Sequence, residues 1–69
     1  MGSAALYTDA LDLIPKGHPA TLPLLGNRAQ CSLSADSFKP CIEDCNAVLA
    51  LVPDDVKSLM RRVKCHRLF

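Results

Sequence analysis

The sequence predicts an all-α fold of four helices, and three observations carry that prediction. Apolar residues recur at spacings of three and four, breaks containing Pro, Gly or small polar residues punctuate them, and strand signals are absent. No alternating apolar run and no Asn-Gly turn occurs in the 69 residues.

Each element follows from its own residues. Ser3 or a neighbour caps a first helix carrying Leu6, Tyr7, Ala10, Leu11 and Ile14, and Pro15-Lys16-Gly17-His18-Pro19 stops it. Thr21 reads as the N-cap of a second helix with Pro23 in its first turn, where the missing N–H costs nothing. Its stripe is Leu22, Leu25, Ala29 and Leu33. After Ser34-Ala35-Asp36-Ser37, with Asp36 or Ser37 as cap, a third helix holds Pro40 in its first turn and presents Ile42, Cys45, Val48, Leu49 and Val52. Pro53 ends it. Asp54 is then expected to cap a fourth helix striped with Val56, Leu59, Met60 and Val63, and Asp54-Asp55 and Glu43-Asp44 complement helix dipoles.

The helices are related to one another. Leu22, Leu25, Arg28 and Cys31 recur 34 residues later as Val56, Leu59, Arg62 and Cys65. Tyr7, Ala10-Leu11, Leu13 and Pro15 match Cys45, Val48-Leu49, Leu51 and Pro53 at an offset of 38, the extra four residues falling in the Lys16–Thr21 connection. A period of 34 residues over paired helices is the signature of a helical-hairpin repeat.

Charge is distributed unevenly. The net value of +1 divides into −4 over residues 1–55 and +5 over residues 56–69, where Lys57, Arg61, Arg62, Lys64 and Arg67 stand without an acid. On a helical wheel Lys57, Arg61 and Lys64 form one basic stripe beside the apolar face, while Arg62 and Arg67 point elsewhere, to solvent or the helix end. Such a stripe suits a peptide carboxylate; a solvated charged face is the plainer alternative that spacing leaves open.

Other chemistry is weakly represented. Cys31, Cys41, Cys45 and Cys65 are even in number, but they lie inside helical patterns in a chain with few glycines and no secretory leader, which favours buried reduced thiols over a disulfide framework or a metal site. His18 and His66 have no nucleophile or carboxylate at a meaningful spacing, so no catalytic residue, metal or cofactor is expected. No apolar run is long enough to cross a membrane, and Leu6 breaks the pattern that would make Met1-Gly2 a myristoylation start. An acidic body, one Tyr and no Trp argue against nucleic acid as a partner.

From residue 4 to residue 69 the chain resembles the tetratricopeptide repeat (TPR) family. Ala29, Phe38, Cys41, Cys45, Val48 and Pro53 stand at the family's small, aromatic and helix-stop positions. The resemblance implies antiparallel hairpins of a solenoid: residues 4–15 as the second helix of one repeat, 22–53 as a full repeat and 54–69 as the first helix of the next, with 1–3 a start or tag-like segment and the domain truncated at both ends. Asn27-Arg28-Ala29, Ile42-Glu43-Asp44-Cys45 and Val56-Lys57-x-x-x-Arg61-Arg62 resemble the subtype of co-chaperones that grips the acidic C-terminal tails of cytosolic heat-shock chaperones through a dicarboxylate clamp. By that resemblance Asn27, Lys57 and Arg61 are carboxylate-binding residues, supported by Lys64 and Gln30. Two further clamp positions of the family lie on a first helix that these residues do not contain. The implied function is that of a cytoplasmic, non-enzymatic adaptor, or else a general TPR scaffold that binds partners without the clamp or a truncated isoform with weak binding. Leu59, Met60, Val63, Leu68 and Phe69 are expected to remain partly exposed and to favour self-association through the helix ends.

Overall fold

The computed structural model describes residues 4–68, so the expectations for residues 1–3 and Phe69 lie outside the described residues. Four helices follow in order: α1 (Ala4–Leu13), α2 (Thr21–Ser34), α3 (Phe38–Leu51) and α4 (Val56–Leu68). Among the described residues there is no strand. Successive helices pack on one another, and α4 also reaches back to α2, giving a slab of 33 × 27 × 16 Å.

The helix boundaries differ in detail from the sequence expectations. Thr21 is the first helical residue of α2 rather than its cap, and the N-cap position falls on Ala20, which has no side chain able to accept a hydrogen bond. His18 takes part of that role: its Nδ1 accepts the Ala20 amide proton at 3.0 Å, and the Thr21 amide donates to the His18 carbonyl at 3.0 Å. Gly17, at φ +82°, makes the turn before it in a conformation that a Cβ would strain.

Asp36 belongs to the end of α2, not to the start of α3. It adopts φ +58°, its amide donates to the Leu33 carbonyl at 3.1 Å, and the Ser37 amide donates to the Ser32 carbonyl at 2.8 Å. That paired pattern is a Schellman motif with an aspartate where glycine is usual; a short polar side chain tolerates the left-handed region better than most. Ser37 occupies the N-cap position of α3 without a side-chain bond. Asp55 caps α4, its Oδ2 accepting the Ser58 amide at 3.1 Å, in place of the expected Asp54.

The core is small and rich in thiols. Ala29 at the α2–α3 crossing is 1% exposed, and Cys41, Cys45 and Cys65 are fully buried, with Leu33, Phe38 and Ile42 packed around them. Cysteine serves here as a small apolar filler that lets the helices approach closely. The four cysteines form no disulfide, and Cys31 is half-buried. Burial, followed by hydrogen bonding to Cys65, pushes the Cys41 thiol far up, and burial raises Cys45 as well, so both stay protonated.

Interhelix polar contacts recur with the repeat. Arg28 on α2 donates from Nη1 to Thr8 Oγ1 of α1 at 2.9 Å, and its counterpart Arg62 on α4 donates from Nη1 to Asn46 Oδ1 of α3, also at 2.9 Å. Thr8 and Asn46 are themselves equivalent at the 38-residue offset. Arg62 is therefore tied to α3 rather than left to solvent or to the helix end. Arg28 also forms a two-pronged ion pair with Asp44, Nε to Oδ2 at 2.8 Å and Nη2 to Oδ1 at 2.7 Å, which makes Asp44 a buried partner instead of a simple dipole complement.

Candidate carboxylate-binding face

The five residues singled out from the sequence lie on two helices that approach each other. Asn27 and Gln30 are exposed and one turn apart on α2; Lys57 and Lys64 are exposed and Arg61 half-buried on α4. At the 34-residue offset Arg61 is the counterpart of Asn27, and Lys64 of Gln30. Equal positions on equivalent helices make the two sets corresponding rows, one on each helix.

The rows meet at one bond. Arg61 donates from Nε to Gln30 Oε1 at 3.1 Å, and its Nη1 lies 3.7 Å from where a Cβ on Gly26 would stand. The bond fixes the guanidinium plane against α2, reducing the side-chain entropy that a ligand would otherwise have to overcome. Gln30, Arg61 and Lys64 line a common open groove of about 820 Å³, whose walls also include Leu33, Met60 and Val63. Asn27 and Lys57 are not part of its lining, so the structure gathers three of the five residues into one groove and does not bring the other two into it.

Electrostatics on this face are positive with one internal exception. No acid occurs on α4, but Asp55 immediately precedes it. Hydrogen bonds from Ser58 hold the Asp55 carboxyl below its ordinary range, and the nearby positive charges of Arg61 and Lys57 act in the same direction.

The Arg28–Asp44–Thr8 cluster is the feature that sequence reasoning missed. Its members lie 16 and 20 residues apart on three helices, and no local period pairs them. It lines a smaller recess of about 270 Å³ with Ser32 and Glu43, and Arg28 is already committed to its partners, so this recess is a structural joint. Among the described residues no group of three or more His, Cys, Asp or Glu side chains is arranged to hold a metal. Nor is any helix among them long and apolar enough to cross a membrane.

Comparison with known proteins finds relatives that include an import receptor subunit and a co-chaperone. The chain is 38% identical over 68 residues to mitochondrial import receptor subunit TOM34 of Rattus norvegicus, covering 93% of this chain and 22% of that protein. It is 34% identical over 68 residues to the Hsp70/Hsp90 co-chaperone CNS1 of Saccharomyces cerevisiae, covering 88% of this chain and 18% of the relative. Protein PHOX3 of Arabidopsis thaliana is 30% identical over 67 residues, covering 94% of this chain and 8% of PHOX3. The chain therefore spans about a fifth or less of these curated relatives. None of the three is named for an enzymatic reaction. No family model matches the chain, and no solved structure matches it significantly.

Proposed function

We propose that residues 4–68 form a partial TPR solenoid belonging to a cytoplasmic co-chaperone-like adaptor, and that its α2–α4 face binds the acidic, carboxylate-ended tail of a heat-shock chaperone. The observation that carries this reading is the pair of donor rows: Asn27 and Gln30 on α2 against Lys57, Arg61 and Lys64 on α4, joined by the Arg61–Gln30 bond. Arginine offers a forked donor to a carboxylate, lysine a mobile point charge, and the amides uncharged donors that discriminate by geometry. Leu33 and Met60 in the groove supply apolar surface for the side chains of an extended peptide. The equivalence of the Arg28–Thr8 and Arg62–Asn46 contacts supports the solenoid reading, and a relative described as a co-chaperone of Hsp70 and Hsp90 supports the class of partner.

Titrating a labelled peptide ending Glu-Glu-Val-Asp into the 69-residue chain tests the reading. Saturable binding that weakens with added salt is expected, because the contacts are partly exposed. Lys57→Ala or Arg61→Ala should each weaken it by on the order of 2 kcal/mol, roughly 30-fold in Kd. Amidating the terminal carboxylate should abolish most of the affinity. Equal binding of the amidated peptide would instead support a scaffold that uses its groove without a clamp, and no binding of either peptide would overturn the reading.

A further inference from the structure

Arg28 and Arg61 present different sides of their guanidinium groups. A guanidinium offers a carboxylate two forks: one from Nε with a neighbouring Nη, the other from the two Nη groups at its end. Arg28 uses the first, giving Nε and Nη2 to Asp44 at 2.8 and 2.7 Å. In Arg61 that side is closed, because Nε donates to Gln30 Oε1 at 3.1 Å. Its end fork has no partner among the described residues, where the one ion pair is that of Arg28 with Asp44.

Beside that end stands Gly26. A Cβ built on it would lie 3.7 Å from Arg61 Nη1 and meet nothing else within 4 Å. Gly26 lies in the interior of α2, and unlike Gly17 it does not have a positive φ. Glycine is a poor helix former, and here no turn or close approach of backbone requires it. What its missing side chain provides is open space at the end of the Arg61 fork. Alanine would fit that space in ordinary contact; a longer side chain would fill it.

Arg61 also stands at a boundary. Its partner Gln30 lines the groove together with Leu33 and Met60, whereas Gly26 is not part of that lining. Lys57, one turn before Arg61 on α4, adds a second cation to the same stripe. Asp55 does not occupy the fork, since its Oδ2 accepts the Ser58 amide at 3.1 Å.

We infer that a ligand carboxylate seats end-on across Nη1 and Nη2 of Arg61, in the space over Gly26, with Gly26 deciding whether the acid is admitted and Gln30 acting as a positioning residue. Gln30 takes Nε out of use and turns the end of the fork toward α2. This rests on the carboxylate-binding reading and sharpens it: the side chains of an extended peptide lie along the groove, and its acid lies at the Gly26 side of Arg61.

Two measurements on the 69-residue chain test the seat. In the first, the labelled peptide ending Glu-Glu-Val-Asp is titrated into the wild type, Gly26→Ala and Gly26→Leu, with Tm recorded for each. Gly26→Ala should bind as the wild type does. Gly26→Leu should weaken binding by about tenfold or more, the loss of one charge-assisted contact. Its Tm should be no lower than that of the wild type, because leucine is the better helix former. Gly26→Gln, uncharged and flexible, should lose affinity in the same way and serves if Gly26→Leu does not fold. In the second, NMR follows the Arg61 side-chain N–H signals as acetate is added at constant ionic strength. Acetate should shift them in the wild type and in Gly26→Ala, and in neither larger variant. Gln30→Met, which has no acceptor, should speed exchange of the Arg61 Nε–H and weaken the acetate shift.

Peptide binding that survives both Gly26→Leu and Gly26→Gln overturns the inference and leaves the proposed function in place. A wild type that does not bind the peptide overturns the proposed function, and acetate then decides the seat: a shift lost in the larger variants supports it, and a shift equal in all, or absent, overturns it. Unchanged Nε–H exchange in Gln30→Met overturns the positioning role of Gln30.

Discussion

Replacing Arg28 with methionine removes a guanidinium that bridges three helices, and its cost can be bracketed from the geometry. The two prongs to Asp44 are 2.7 and 2.8 Å long and a third bond reaches Thr8 at 2.9 Å. The Arg28 side chain is 24% exposed and that of Asp44 only 8%. Fully exposed pairs contribute about 0–1 kcal/mol, whereas removing one partner of a buried pair costs about 3–5 kcal/mol because a charge is left stranded. Asp44 is near the buried limit and Arg28 is not, so Arg28→Met should cost about 2–3 kcal/mol. Asp44→Asn should cost less, about 1–2 kcal/mol, since the arginine it releases can reach water. In a domain of this size a loss of 2–3 kcal/mol lowers Tm by roughly 10–20 °C. Urea denaturation of the wild type, both single variants and the double variant gives the coupling energy directly, expected at about 1–2 kcal/mol. Arg62→Met supplies the internal comparison: its exposed bond to Asn46 should be worth no more than about 0.5–1 kcal/mol. If Arg28→Met costs no more than Arg62→Met and the coupling is near zero, the cluster is a surface contact and the reasoning fails.

Three further outcomes follow from the local structure. Asp36→Gly should raise stability by about 0.5–1 kcal/mol, read as a higher urea midpoint, because it relieves a left-handed residue at the end of α2. Asp55 has its folded pKa lowered, so it contributes stability above its unfolded value and loses that contribution as pH falls through the folded one; the wild type should weaken below about pH 4, and Asp55→Asn should show a shallower acid dependence of the urea midpoint. For Cys41 and Cys45 the sign is reversed: a thiol whose folded pKa is raised favours folding below its unfolded value, and that contribution declines as pH climbs above about 9. Native-state alkylation followed by mass spectrometry should accordingly label half-buried Cys31 well before Cys41, Cys45 and Cys65, and equal labelling of all four would show that the thiol core is open.

Much of this architecture was legible in the residues. Helix existence, the breaks at Pro15–Pro19 and Pro53, and the offsets of 34 and 38 are local or periodic properties, and each reappears in the fold. Caps were less legible, since Asp36, Ser37, Asp54 and Asp55 are all competent cap residues and one φ angle or one hydrogen bond decides among them. The basic stripe of α4 was legible too, because a helical wheel needs only residue order. Its attachment to α2 through Gln30 was not, since nothing local relates positions 31 residues apart.

By itself, then, the sequence determined where helices form, that they recur as hairpins, and which residues share a face, because backbone sterics and the 3.6-residue period act over a few neighbours. Only the tertiary structure decided that Arg28 is consumed by Asp44 and Thr8 while Arg61 rests against Gln30 beside a groove, two fates for adjacent positions of equivalent helices. It also decided which apolar stripes are covered and which, on α1 and α4, stand open. The physical reason is that a side chain's partner depends on which helix packs beside it, and packing is a property of the whole chain.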